Sequence, residues 1–146
     1  ALSAAINDPT TAVLAIDQLQ RLLGKVGKHT LRDHEIKDAA GRLRLILRTP
    51  NWEDFVHMTF REIRECGAGS LQVERRLRAL VASVMAALPA HRHLALSIEL
   101  DLLDAAARKQ HALGADLALA RIPDSQGLGG ASGALDQPGL VSRTPE

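Results

Sequence analysis

Six histidines, one cysteine and several close pairs of carboxylates are the residues of this chain whose types could do chemistry. A metal site needs converging ligands. His91 and His93 stand two apart, which on a helix turns them to different sides, and neither they nor His29 and His34 belong to an HExxH pattern or a cysteine cluster. No metal and no other cofactor is expected. Cys66 falls at the end of a predicted helix, where the dipole opposes a thiolate and Glu62 and Glu65 are close by, so a small buried or half-buried side chain is expected. Ser3, Ser70 and Ser83 lack a GxSxG setting, and the glycine-rich GLGGASG has neither the preceding strand nor the following helix that a phosphate cradle requires. Paired carboxylates such as Asp101 with Asp104, Glu62 with Glu65 or Glu53 with Asp54 can act as acid and base when burial separates their pKa values. Here they fall mostly on polar faces beside arginines, where solvent is the expectation.

Two basic clusters, Arg75, Arg76 and Arg78 and then Arg42, Arg44 and Arg48, suit anionic lipid headgroups or an acidic partner. With acidic residues nearby, ordinary surface charge is the expected reading. No nucleophile, base and orienting group can be assembled from these residues, so no enzymatic activity is expected.

The elements that would position such groups are helical. Alanine and leucine dominate the composition, against two Phe, one Trp and no Tyr, which is the vocabulary of helices rather than strands. The fold class expected is mainly α, a small bundle of about four to five helices with one short β-hairpin packed on it. Asp8-Pro9 is a strong helix start, because the carboxylate accepts free N–H groups of the first turn and proline needs none. Ala12, Val13, Ile16, Leu19, Leu22 and Leu23 then form one stripe, and Gly24 and Gly27 end it. The preceding ALSAAI reads as the last turns of another helix, so that Asn7 and Asp8 mark a corner between two helices. The opening on Ala1, with no signal-peptide pattern, makes a fragment of a longer product the expectation.

Further along, Leu43, Leu45 and Leu47 alternate with arginines after the turn-forming Asp38-Ala-Ala-Gly41, which predicts a hairpin near 34–48 with its leucine face on the helices. A helix follows, capped by Asn51 or Thr49 and carrying Trp52, Phe55, Val56, Thr59, Phe60 and Ile63 on one face, with Gly67 as its stop. Ser70 is placed to cap the next, whose stripe is Val73, Leu77, Leu80, Val81, Val84 and Leu88. A fourth runs from about Ala90 to about Leu113 with Leu94, Ile98, Leu102 and Ala105 inward, and Leu96, Leu100 and Leu103 widening its apolar surface toward a central position or a partner. A short last helix or turn, Ala115 to Pro123, would be capped by Asp116. The helical domain is thus 1–123, and 124–146, rich in Gly, Pro and Ser, reads as a flexible tail.

Charge narrows the partners. Eighteen basic against seventeen acidic residues and three aromatic side chains argue against nucleic acid. The longest uncharged stretch of the helical part, Ala79 to Ala90, is shorter than the roughly 20 residues of a membrane span, so this piece is expected to be soluble.

The opening ALSAAINDPTTAVLAIDQL resembles the signature ALSP(G/A)INDPxTAxxxxD of the bacterial predicted membrane proteins catalogued as domain of unknown function 2254. GRLRLILRTPNWEDFVHMTFREIRECGAGSLQVERRLRAL is similar to the family's strand, WEDLV-type helix and GA(x)SPQV-type helix start, and IPDSQGLGG to the ending of many members. The resemblance covers most of residues 1 to 130. INDP with Thr11 and Ala12 is its most specific part, and Ala4 departs from it where proline is frequent. It implies a membrane-spanning region before this portion and supplies no catalytic residue. Asn7, Asp8, Thr11 and Asp17 match the signature and are the candidate binding residues. The expected role is that of a soluble interaction or assembly domain of a membrane protein of the bacterial inner membrane, its partner the parent's N-terminal transmembrane region or a second copy as a homo-oligomer. The alternative is a ligand-sensing domain of a transporter- or channel-like protein, with the INDP corner lining a pocket for a small-molecule ligand.

Overall fold

The computed structural model describes residues 8–124. Five α-helices and a two-stranded antiparallel hairpin follow one another along them: α1 (Pro9–Val26), β1 (His34–Lys37), β2 (Leu43–Leu47), α2 (Trp52–Cys66), α3 (Leu71–Ala87), α4 (His93–Gln110, entered through a single 3-10 turn at Ala90–Arg92) and α5 (Gly114–Ala120). The mainly α bundle with its hairpin is the architecture the composition and periodicity imply.

Local signals fix most of the boundaries. Asp8 caps α1 with Pro9 in the first turn. A capping box opens α2: the Asn51 side chain accepts from the Asp54 N–H while the Asp54 carboxylate accepts from the Asn51 N–H. The hairpin turn is built by Asp38, whose carboxylate accepts the N–H groups of Ala40 and Arg42, and by Gly41, which takes a φ of 78°. Two expected caps are not made. Ser70 occupies the cap position of α3 without a side-chain hydrogen bond, and α5 is preceded by Leu113, so Asp116 lies inside its first turn.

Helix α3 is the centre of the bundle. It packs against α1, α4 and α5, while α2 packs against α1 and α4. Every residue from Val73 to Val81 is buried, so solvent reaches no side of this half of the helix. The expected stripe of Val73, Leu77, Leu80, Val81, Val84 and Leu88 is buried throughout, and Ile16, Leu23, Trp52, Val56, Phe60, Leu96 and Leu103 complete the core around it. Trp52 closes one end, its indole N–H donating to the Arg92 carbonyl at 2.8 Å.

Two faces differ from expectation. The leucine face of the hairpin does not lie on the helices: all nine strand residues are exposed, and Ile36, Leu43, Leu45, Ile46 and Leu47 keep 46–50% of their surface in solvent. The helices close the core on one another, which leaves no apolar seat for the sheet.

On α4 the inward and outward sides are exchanged. Leu94, Ile98, Leu102 and Ala105 are exposed, whereas Ala95, Leu96, Glu99, Leu103 and Ala107 are buried. The inner face carries a glutamate, which patterning by charge sends outward. Arg64 of α2 neutralises it in a direct ion pair, and the leucines beside it go in. Asp124, where the tail was expected to start, is fully buried, and the remainder of that segment, 125–146, lies outside the described residues.

Candidate functional site

Three of the four signature residues, Asp8, Thr11 and Asp17, are described, and each has a partner within the domain. Asn7 and the ALSAAI segment lie outside the described residues. Asp8 is the cap of α1, with the Thr10 N–H at 3.0 Å on one carboxylate oxygen and the Thr11 hydroxyl at 2.6 Å on the other. The Thr11 hydroxyl first and the Thr10 N–H second hold its carboxyl below the ordinary aspartate range. Asp17, two turns on, faces the bundle and meets Arg76 of α3, with the guanidinium Nε and Nη2 both 2.5 Å from its Oδ1. The signature thus begins a helix and then ties that helix to α3.

Arg76 belongs to the main polar feature of the molecule. Arg75, Arg76 and Arg78, expected at the surface, are 2%, 8% and 6% exposed. Their targets are the backbone carbonyls of the chain leaving α5. Arg78 Nε donates to Ala120 at 2.8 Å, Arg75 Nε to Ile122 at 3.0 Å and Arg76 Nη1 to Asp124 at 3.0 Å. Alternate carbonyls therefore each go to a different arginine, and the Asp124 N–H donates back to the Arg75 carbonyl at 3.1 Å. Carboxylates supply the counter-charge: Asp17 for Arg76, and for Arg78 the α4 residue Asp104, 2.5 Å from Nη2. Arg121 reaches the other Asp104 oxygen at 3.8 Å.

The physical reason is the end of a short helix. Terminal carbonyls of α5 and of the chain after it have no helical partner, and burying them unpaired is costly. A guanidinium offers five donors in a planar fork, enough to satisfy carbonyls and a carboxylate together.

Two more carboxylates are buried. Glu99 pairs with Arg64 and lies 3.5 Å from the His57 ring. Glu74 has one oxygen 2.7 Å from His111 Nε2, and its other oxygen accepts the Gly69 N–H at 3.0 Å.

Asp8, Asp17, Asp104, Glu74 and Glu99 each have a fixed partner, and one open groove lies at the base of the hairpin between Arg32, Asp33, Arg48 and Asn51. The arrangement ties α1, α4 and the chain after α5 to α3. Among the described residues no three or more His, Cys, Asp or Glu side chains are placed to hold a metal ion. Cys66 is exposed, contrary to the buried or half-buried place expected of it, because it stands in the last turn of α2 away from the core face of Trp52, Val56 and Phe60, and His93 binds the Leu88 carbonyl through a ring nitrogen.

Sequence reading missed the arginine seam because its partners are remote: Asp17 and the carbonyls of 120, 122 and 124 are separated from α3 by long stretches of chain. One signal was present. Arg75, Arg76 and Arg78 spread around the same two turns that carry Val73, Leu77, Leu80 and Val81, so a helix buried by that stripe brings some of the guanidinium groups inside with it.

A family model described as "Predicted membrane protein (DUF2254)" matches residues 1–83. Curated relatives are similar along nearly the whole chain: an uncharacterised protein of Mycobacterium tuberculosis and another of Mycobacterium bovis are each 28% identical to it over 99% of its length. The chain spans only 27% of the length of those relatives. No solved structure matches it.

Two outcomes follow from the seam and the cap. Asp104→Ala strands the buried Arg78 guanidinium without a carboxylate. Denaturant unfolding should show a loss of about 3 kcal/mol, the low end for breaking a buried pair because Asp104 keeps a third of its own side chain in water. The exposed Arg108→Ala on the same helix should stay within about 0.5 kcal/mol. For the cap, the folded Asp8 carboxyl is lowered, so its contribution is present above the unfolded value and is lost as pH falls through the folded one. Asp8→Ala should therefore lower the melting temperature at neutral pH, and the difference from the parent chain should close as pH drops below the ordinary carboxylate range.

Proposed function

The chain belongs to the DUF2254 family of predicted membrane proteins, and from that premise we propose that it is a non-enzymatic interaction and assembly domain working beside the bilayer. In this reading it is held at a bacterial inner membrane by its parent protein, and its partner is the parent's own membrane-spanning region. No helix among the described residues is long and apolar enough to cross a membrane. The relatives are nearly four times as long as the region they share with this chain, so in them the domain has other protein to meet.

The observation that carries the proposal is the outer face of α4. Leu94, Ile98 and Leu102 follow one another at four-residue spacing and are 73%, 51% and 38% exposed. A stripe of this kind is what a helix presents to a partner helix. The buried Glu74 and Glu99 support a structural role as well, since the first is committed to His111 and the second to Arg64 inside the domain.

The test compares the parent protein with an Ile98→Glu variant, following association of this domain with the membrane region by co-purification after the link between them is cut. Retained folding is expected, with the melting temperature nearly unchanged because the side chain is exposed, and association should weaken by roughly tenfold or more. Undiminished association would overturn the proposal. A dimer that dissociates on the same substitution, seen by light scattering, would assign the stripe to a second copy instead.

A further inference from the structure

The hairpin has one strand edge that is regular and exposed. Its register sets His34 opposite Leu47, Glu35 opposite Ile46 and Ile36 opposite Leu45, and then passes to Lys37 opposite Leu43. The residue passed over is Arg44, so the irregularity belongs to β2 and β1 runs without one. All four residues of β1 are exposed, and among the described residues its backbone makes no backbone hydrogen bond besides those to β2. Such an edge is a template for another strand, and a two-stranded hairpin is marginal in water until more strands join it.

Alternation puts His34 and Ile36 on one side of β1 and Glu35 and Lys37 on the other. The 3.1 Å contact between Glu35 and Lys37 Nζ agrees with that, and both side chains keep more than half of their surface in solvent.

We propose that β1 pairs antiparallel with β1 of a second copy of this chain, with Ile36 on the two-fold axis, so that two hairpins make one four-stranded sheet. Charge complementarity selects both the occupant and the register. When identical strands pair antiparallel about a two-fold axis, facing residues lie on the same side of the pleat, so the axis passes through a residue. On Glu35 it would oppose two glutamates, on Lys37 two lysines, and on His34 it would set Asp33 against Glu35. On Ile36 it sets Glu35 of each copy opposite Lys37 of the other, twice over. The β2 edge offers no such match: an axis on Arg44 opposes two arginines, on Leu45 it opposes Arg42 to Arg48, and on Ile46 Arg44 to Arg48. The same arginines, with the irregularity at Arg44, discourage further strands on the outer edges and stop the sheet at four.

The pairing also gathers apolar surface. Ile36 of each copy meets its counterpart at the centre of one face, with Leu45 and Leu47 of both copies flanking them, side chains that are 46%, 50% and 49% exposed in the single chain. This contact is separate from the α4 stripe, and the inference does not depend on the assembly reading.

Light scattering of the 146-residue chain over roughly 1 μM to 1 mM tests it, and a dimer should form within that range. Glu35→Lys and Lys37→Glu, each alone, place like charges opposite one another at both pairs and should weaken the dimer by roughly tenfold or more. Circular dichroism should stay that of the parent chain, since neither residue enters the core. The two substitutions in one chain should restore the dimer. An equimolar mixture of the two single variants should also dimerise, because every facing pair is then a lysine and a glutamate. A chain that stays monomeric throughout, single variants that dimerise like the parent chain, or a mixture that stays monomeric would overturn the proposal. So would a dimer that Ile98→Glu dissociates and Glu35→Lys leaves intact, which would belong to the α4 stripe.

Discussion

Three guanidinium groups on one helix have been taken out of water, and the bundle is arranged so that none of them is left alone. Removing a charge from solvent is expensive, and the cost is offset only by close carboxylates and well-placed acceptors. Arg76 takes Asp17 from α1, Arg78 takes Asp104 from α4, and the three arginines together hold the carbonyls of 120, 122 and 124. The positions of α1, α4 and the chain beyond α5 are thereby referred to the same two turns of α3. Hydrophobic burial around Leu77, Leu80 and Val81 supplies the bulk of the cohesion. The arginine seam supplies its specificity: a register slip of α1 or α5 would unpair a buried charge.

The closed core also explains what is left outside. With every side of α3's N-terminal half covered by helices or by the chain after α5, the hairpin has no groove to enter, and the outer leucines of α4 have no helix to meet. Among the described residues the interior is closed, and the hairpin and the outer face of α4 keep apolar side chains in solvent. The signature that identifies the family falls on α1, with Asp8 and Thr11 exposed at its start and Asp17 half-buried against α3. Asp8 and Thr11 start α1, and Asp17 fastens it, so the most specific segment of the sequence positions a helix and does not line a cavity among the described residues.

Features set by neighbours in the chain were legible in the sequence. The Asp8-Pro9 start, the Asn51 cap, the Asp38–Gly41 turn and the apolar stripe of α3 each rest on residues within a turn or two of one another. Features set by distant partners were not. The inward face of α4 depended on Arg64 neutralising Glu99, and the burial of Arg75, Arg76 and Arg78 on acceptors some 40 or more positions away. Of the four candidate binding residues, Asp8, Thr11 and Asp17 have local or cross-helix partners, and Asn7 lies beyond the described residues.

The central claim is that α3 and the arginines on it form the part of the domain that opens last. Native-state hydrogen exchange reads this directly, amide by amide. Amides of Val73 to Val81 should exchange only through global unfolding, with those of Ile122 and Asp124 protected well beyond the hairpin amides and released early when Asp104 is replaced by Ala. Exchange of the 73–81 amides at a rate close to that of β1 and β2, or protection near Asp124 that is indifferent to Asp104, would contradict the account.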